Sequence, residues 1–423
     1  MSRLRPVIYG AFLLATVGSA ILVSKPKGGA APVAKVREAM VESARYMVRH
    51  LDGTGRFDYL NYVDGRPERG PERYNVLRHA GSIYALAQYQ DRSPDPLVRD
   101  AILRGAGYLL RRHVQPIPGK NGVLGIASLP GEEVTGKQAE FKLGGTALGL
   151  VALVKAWQLD HASVPPEVLR GLGRFLLEAQ DGEGRFTSRF DARGVALKGG
   201  DSAYYPGEAA LALACLHRVD PDPKWLAGAK RGIGYLVRRR GGTEGAALPD
   251  HWLMLAASEV YGRTEAGTAT DPERDAAVAH CLGIARGMMR EQQKTSTTRG
   301  LAGAFGRSGA VAPTATRLEG LIALHRLLPA EHPERAALRT SIENGLGFLM
   351  RGQVAEGSTR GGFTRVFPRE AVKADAGVRR STAHHEIRID YVQHALSAMV
   401  TYESGLPAEG KAPRWLPAMS VVR

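Results

Sequence analysis

The chain has 423 residues, 44% apolar and 23% charged, with 57 basic side chains against 42 acidic ones and a net charge of +15. This is ordinary globular composition, long enough for one large closed domain, and it excludes wholesale disorder. Two cysteines, Cys215 and Cys281, exclude a disulfide scaffold, a multi-cysteine zinc module and an iron–sulfur cluster.

Arginine carries the basic excess, with 44 arginines against 13 lysines. A strongly basic surface favours anionic partners such as phospholipid headgroups, acidic glycans or nucleic acid. No helix-turn-helix, zinc-finger or RNA-recognition signature accompanies the charge, so nucleic acid is not expected as a partner.

At the N-terminus, Arg3 and Arg5 precede an uncharged apolar run over 7–23. Seventeen residues at about 1.5 Å each reach the lower limit for crossing a bilayer. A small-residue cleavage site near Ser19-Ala20 is the alternative. The apolar run continues beyond it, so residues 1–31 read as a membrane anchor and linker. The domain at 32–403 would then face the periplasm or exterior, followed by a proline-containing tail at 404–423.

From residue 32 two kinds of helix alternate. The first kind is amphipathic and begins at a proline, often behind an Asp cap, a strong start signal. These segments run over 33–51, 96–113, 166–180, 223–239, 272–292 and 333–353. Four carry a related core: Arg104-Gly105-Ala106-Gly107, Arg170-Gly171-Leu172-Gly173, Arg231-Gly232-Ile233-Gly234 and Asn344-Gly345-Leu346-Gly347. The second kind is rich in Ala, Gly and Leu nearly all round, as a helix buried on most faces must be. These begin at 74, 142, 204, 248, 313 and 388. Six hairpins in strict alternation predict an all-α fold, an (α/α)6 toroid with an inner and an outer ring. A linear solenoid would need polar capping helices at both ends, and the last helix is as buried in character as the middle ones.

The connections are unequal. Those leading from inner to outer helices are short, and those leading from outer to inner helices are long. Long loops on a rigid scaffold commonly carry function. They lie at the end where the inner helices begin, which is also where those helices carry their polar residues.

The segment RGLGRFLLEAQDGEGRF, 170–186, resembles the repeat of terpenoid cyclases and protein prenyltransferases at Gln180, Gly184 and Phe186. Gln353 with Gly361, Gly362 and Phe363 is a looser second copy. The layout is also similar to six-hairpin glycosidases, epimerases and polysaccharide lyases. No DxDD or DDxxD motif and no Asp-x-Cys pair is present, which argues against isoprenoid chemistry. The resemblance therefore implies carbohydrate chemistry.

The first turns of the inner helices supply the candidate residues. Glu208, Asp390, His251, His394, Asp250 and Glu319 are the candidates for acid–base catalysis. Arg78, His79, Tyr204, Tyr205, Trp252, Arg317, Arg388 and Tyr391 are the candidates for holding substrate. Sugar chemistry needs a carboxyl that donates a proton and a second group that acts as base or nucleophile. Aromatic rings stack on sugar faces, and arginine pairs with acidic groups. Six helix N-termini at one mouth favour an anionic ligand. Asp390 and His394, four residues apart, lie on one helix face, whereas Arg317 and Glu319, two apart, cannot. Asp250 also fits a helix cap. His384-His385-Glu386 lacks the spacing of a zinc-protease pair and reads as an exposed loop, so no metal or cofactor is expected. The expected function is an anchored envelope enzyme that cleaves or remodels a polysaccharide, an anionic one, in a cavity at the N-terminal ends of the inner helices. The alternatives are a non-catalytic toroid binding a glycan or lipid intermediate and, more weakly, an isoprenoid-binding toroid.

Overall fold

The computed structural model describes residues 33–66, 74–132, 138–241, 248–262, 271–298, 300–367 and 384–406. The apolar run at 7–23 and most of the tail lie outside the described residues. Among the described residues, no helix is long and apolar enough to cross a membrane.

Twelve helices form among the described residues. The outer ones are α1 (Val33–Arg49), α3 (Pro96–Arg112), α5 (Pro166–Glu178), α7 (Pro223–Arg240), α9 (Pro272–Gln293) and α11 (Arg335–Gly352). The inner ones are α2 (Val76–Arg92), α4 (Leu143–Leu159), α6 (Tyr205–His217), α8 (His251–Tyr261), α10 (Val311–Leu327) and α12 (Ile389–Gly405). Each inner helix packs on the next, and α12 packs back on α2, so the ring is closed. Capping follows the expected chemistry: Asp95, Asp222 and Asp271 each accept backbone N–H bonds ahead of a proline at the helix start. Helix α4 is buried at every residue from Leu143 to Val154, as an all-round apolar pattern requires.

The long connections also hold short strands that no alternating sequence pattern announces. Strands β1 (Leu60–Tyr62) and β6 (Glu386–Arg388) pair antiparallel, with Leu60 opposite Arg388. Strands β2 (Val114–Pro116), β3 (Leu124–Ser128), β4 (Glu140–Lys142) and β5 (Arg189–Phe190) form an antiparallel sheet in that order. Thr146 in α4 fastens this sheet to the inner ring, its hydroxyl accepting the Ile126 N–H at 3.0 Å. Glu386 of the expected His384–Glu386 loop is thus the first residue of a strand, because the loop after α1 offers it a partner.

The outer ring is joined by a recurring device. After α1, α5, α9 and α11 the chain makes a turn containing Gly-x-Phe: Gly55 to Phe57, Gly184 to Phe186, Gly303 to Phe305 and Gly361 to Phe363. The four glycines have φ of +92°, +98°, +93° and +87°, backbone that a side chain rarely adopts. Each also abuts a main-chain carbonyl of the next outer helix around the ring: Arg104, Arg231, Asn344 and Glu42 respectively. All four phenylalanines are buried. Phe57 and Phe186 pack on Gly105 and Gly232, which explains the recurring Arg-Gly pair in the outer helices. Glutamines at the ends of outer helices complete the joint. The Gln180 amide donates to Gly228 O at 3.0 Å, that of Gln292 to Ser341 O at 3.0 Å, and that of Gln353 to Ala39 O at 2.8 Å. The last of these links α11 to α1 and so closes the outer ring.

Replacing Gly184 by Ala sets a Cβ against the Arg231 carbonyl in left-handed backbone. We expect it to lower unfolding stability by roughly 2 kcal/mol or more, measured by urea denaturation. Gly182→Ala, where the added Cβ meets nothing within 4 Å, should stay within about 0.5 kcal/mol of wild type.

Candidate active site

The N-terminal halves of α6, α8, α10 and α12 and the strand pair β1–β6 together build a polar cluster, with Glu319 lying two turns inside α10 rather than in its first turn. Glycines let these helices approach. Gly207 in α6 lies against the Leu253 backbone and Trp252 of α8, while Gly320 in α10 lies against His251 and Met254. The start of α8 is thereby held between its neighbours.

Asp250 caps α8, its Oδ1 accepting the Leu253 N–H at 3.0 Å and its Oδ2 taking the Arg240 Nη1 at 2.6 Å. Burial raises its pKa and Arg240 opposes that rise. Both oxygens are therefore committed to structure. His251, the next residue, is buried, and its Nε2 has no hydrogen-bond partner. That nitrogen lies 3.7 Å from Glu319 Oε2. Burial, followed by His394 and Arg317, holds the imidazole well below the ordinary histidine pKa, so the ring is neutral.

Glu319 Oε2 also bonds His394 Nδ1 at 2.9 Å, which orients that ring. Burial alone would lower the His394 pKa, but the Glu319 carboxylate raises it above the usual value. The two imidazoles stand edge to face, 5.6 Å apart at an interplanar angle of 81°. Trp252 packs on both rings, and the half-exposed Tyr204 stands 6.2 Å from His251. The donor atoms of His251, Glu319 and His394 lie within 4.8 Å of one another, so these three are also the group that could ligate a cation.

Glu208, one turn into α6, is buried against Gly144 with its Oε2 unpartnered. Burial, reinforced by the charge of Asp250, raises its pKa to about 8, so it carries a proton at neutral pH. Neighbouring Tyr205 is pushed up to about 12 by burial and by Glu208.

Asp390 has a different setting. Arg388 grips it with two bonds of 2.6 and 2.9 Å, and Arg78 Nε approaches at 3.2 Å. Burial alone would raise its pKa, but these two guanidiniums hold it below the ordinary carboxylate value. The expected Asp390–His394 pairing is thus replaced. Asp390 turns to the arginines, and Glu319 from the neighbouring helix takes the histidine. Arg78 also stacks over Tyr59, and Arg388 over Tyr391 at 4.7 Å. Tyr391 donates its hydroxyl to Glu386 at 2.8 Å. Arg317 is half-buried and bonds only its own helix, through Pro313 O at 2.8 Å, among the contacts described for it.

His79 lies apart from this cluster. Its ring sits between the Tyr74 hydroxyl, 2.6 Å from Nδ1, and Gly105 O, 2.9 Å from Nε2. Burial depresses its pKa to about 3, so it is a neutral brace between α2 and α3. Tyr59, Arg240 and Glu386 were not among the sequence candidates. The charged residues lie in connections or at helix ends with no periodic signal to mark them, and only the β1–β6 pairing brings Tyr59 and Glu386 to the site.

No protein-family profile matches the chain, and no curated protein matches its sequence. Solved structures do match it in shape. Cellobiose 2-epimerase from Bacillus thermoamylovorans B4167 superposes with a TM-score of 0.62 at 9% identity, covering 87% of this chain and 98% of that one. The fold shared with these structures is the (α/α)6 toroid. The GH76A α-1,6-mannanase from Salegentibacter sp. HEL1_6 has a TM-score of 0.56 at 13% identity, covering 88% and 98%. An unsaturated glucuronyl hydrolase specific for heparin has a TM-score of 0.54 at 10% identity, covering 88% and 97%. Identities this low establish shared architecture, and the chemistry must come from the residues of this toroid.

The pKa of Glu208 has a consequence for stability. The unfolded carboxyl ionises near pH 4.3 and the folded one near 8, so between these values the folded state holds the extra proton. Stability should therefore fall as pH rises from about 5 to 8. Glu208→Gln cannot ionise, so its urea midpoint relative to wild type should rise across that window. Parallel curves for the two proteins would show that Glu208 is ionised when folded.

Proposed function

We propose that this protein is a carbohydrate-active enzyme that moves a proton on a sugar, as an epimerase or isomerase does. The observation that carries this reading is the His251–Glu319–His394 cluster, with one neutral imidazole nitrogen unpartnered and the other imidazole held by a carboxylate. His251 Nε2 accepts the proton from the carbon beside the carbonyl of an opened sugar. The resulting enediol oxygen is stabilised by hydrogen bonds from protonated Glu208 and from the arginines at the mouth. His394 returns a proton to the same carbon from the other face, giving inversion; return to the neighbouring carbon, with the proton of the second hydroxyl passing to the first oxygen, shifts the carbonyl instead. Tyr204 and Trp252 offer aromatic faces beside the two histidines.

The similarity in shape to a cellobiose 2-epimerase supports a carbohydrate substrate. Glycoside cleavage is the second reading, favoured by protonated Glu208 acting as general acid. It also requires an ionised carboxylate free to act as base or nucleophile. Asp390 is held by two guanidiniums, Asp250 caps a helix, and Glu319 is bonded to His394. For this reason proton transfer takes precedence here. We extend the proposal to location: the apolar run at 7–23 anchors the chain, and the toroid lies on the outer side of that membrane.

The full chain, incubated in D2O with reducing mono- and disaccharides, should place deuterium on the carbon beside the carbonyl, read by proton NMR. His251→Asn and His394→Asn should each slow the exchange about 100-fold to 10,000-fold. Shortened, undeuterated oligosaccharides would instead establish cleavage.

A further inference from the structure

The three donors of the cluster at the mouth come from three inner helices, so no ligand spacing along the chain announces them. His251 opens α8, Glu319 lies two turns inside α10, and His394 is on α12. Glu319 Oε2 stands 2.9 Å from His394 Nδ1 and 3.7 Å from His251 Nε2, and all three donor atoms fall within 4.8 Å of one another. Nitrogen and oxygen ligands at about 2.0–2.1 Å from a tetrahedral ion stand about 3.4 Å apart, a value that the two measured separations bracket. The side chains of His251, Glu319 and His394 are only 6%, 2% and 13% exposed, and His394 gives the cluster its opening to solvent. The buried His251 Nε2 has no hydrogen-bond partner among the described residues, and a buried polar atom left in that state calls for a ligand.

The other charges nearby have their own counterparts. Asp250 is committed to its cap and to Arg240, and Asp390 to Arg78 and Arg388. Arg388 also faces the charge of Glu386, and that of Arg317 is opposed by Glu291. The Glu319 carboxylate is thus left to the two imidazoles. We propose that His251 Nε2, Glu319 Oε2 and His394 Nδ1 form a binding site for a divalent transition cation of the zinc type, with its fourth position open toward the mouth. Two imidazoles and one carboxylate are ligands that suit zinc, whereas magnesium and calcium take oxygen. The ion takes the place of the hydrogen in the His394–Glu319 bond, and that proton moves to Nε2 of the same ring or leaves to solvent. This inference goes beyond the proton-transfer reading and does not rest on it. The two compete for one lone pair, because an ion on His251 Nε2 occupies the electrons that would take a proton from a sugar. Zinc therefore switches that exchange off, and the metal-free protein carries it out.

The test begins with binding, which does not depend on turnover. The full chain is stripped with EDTA, dialysed and titrated calorimetrically with zinc sulfate, and separately with cobalt chloride while the visible spectrum is recorded. We expect one zinc ion per chain and the visible absorption of four-coordinate cobalt, abolished by added zinc. Magnesium and calcium should bind at least about 100-fold more weakly. His251→Asn, Glu319→Gln and His394→Asn should each weaken zinc binding about 100-fold or more. His384→Gln combined with His385→Gln, outside the cluster, should leave it unchanged. Zinc should raise the melting temperature of wild type and not that of Glu319→Gln, whose own cooperative melt shows that it folds. Absence of zinc binding, its persistence in the three cluster variants, or its loss in the His384–His385 variant would overturn the site. Tighter binding of magnesium or calcium than of zinc would overturn the class of ion. Deuterium exchange that continues with zinc bound at the cluster would overturn the switch. Zinc binding by a metal-free protein that exchanges no deuterium would leave the site standing and overturn the proton-transfer reading alone.

Discussion

The distance between neighbouring inner helices controls which ionisable groups meet at the mouth of this toroid. A histidine on α8 and a histidine on α12 can share one carboxylate on α10 only if the N-terminal halves of the three helices converge. Gly207 and Gly320 stand on either side of the first turn of α8, where any side chain would meet backbone or Cβ atoms of that helix. Close backbone approach through small residues is therefore the condition for the His251–Glu319–His394 cluster. It also explains why the inner helices are rich in Ala and Gly although neither residue contributes much apolar area. The burial energy of the ring comes from the leucines and aromatics between the two layers.

The outer ring meets the same geometric demand differently. Its helices touch one another less than the inner helices do, and the turns that follow them act as wedges. A glycine reaches the next helix's carbonyl and a buried phenylalanine follows two residues later, set against a helical glycine at Phe57 and Phe186, and after α5, α9 and α11 a glutamine satisfies a carbonyl of that neighbouring helix. The device occurs after α1, α5, α9 and α11. In the sector between α3 and α5 the four-stranded sheet occupies the corresponding space. One architectural problem thus has two local solutions, and the turns leave the long connections free to run inward over the mouth.

Electrostatics at the mouth follows from burial and from the choice of partner. Four carboxyl groups on adjacent elements have four different environments. Glu208 is desolvated without a partner and stays protonated. Asp250 is spent on a helix cap and Asp390 on two guanidiniums. Glu319 orients a histidine. Such divergence among like groups separates a proton donor from charged supports within one small region. The two imidazoles diverge in the same way: the one without a bonded carboxylate is neutral, and the one bonded to Glu319 has its pKa raised.

Much of this was written locally in the chain. Proline starts, Asp caps and the contrast between amphipathic and all-round apolar segments placed all twelve helices to within a few residues, because each signal acts over one or two turns. The alternation of long and short connections placed the polar first turns at one end. The two glutamine-to-phenylalanine segments were visible, while the turns at Gly55 and Gly303 were not, since they lack the glutamine spacing that made the others stand out. Pairing was beyond the reach of sequence. The four-residue spacing of Asp390 and His394 suggested a couple, yet Arg78 and Arg388 compete for Asp390 and Glu319 reaches the histidine from another helix. His79 looked equal to His251 in its position, but its ring turns outward to Tyr74 and Gly105. The short strands likewise arise only where distant connections come to lie side by side. Helix start and amphipathicity are properties of neighbouring residues, so the sequence alone determined the rings and the end at which the inner helices place their polar residues. Which charge meets which depends on distances between helices far apart in the chain, and only the closed ring decided that.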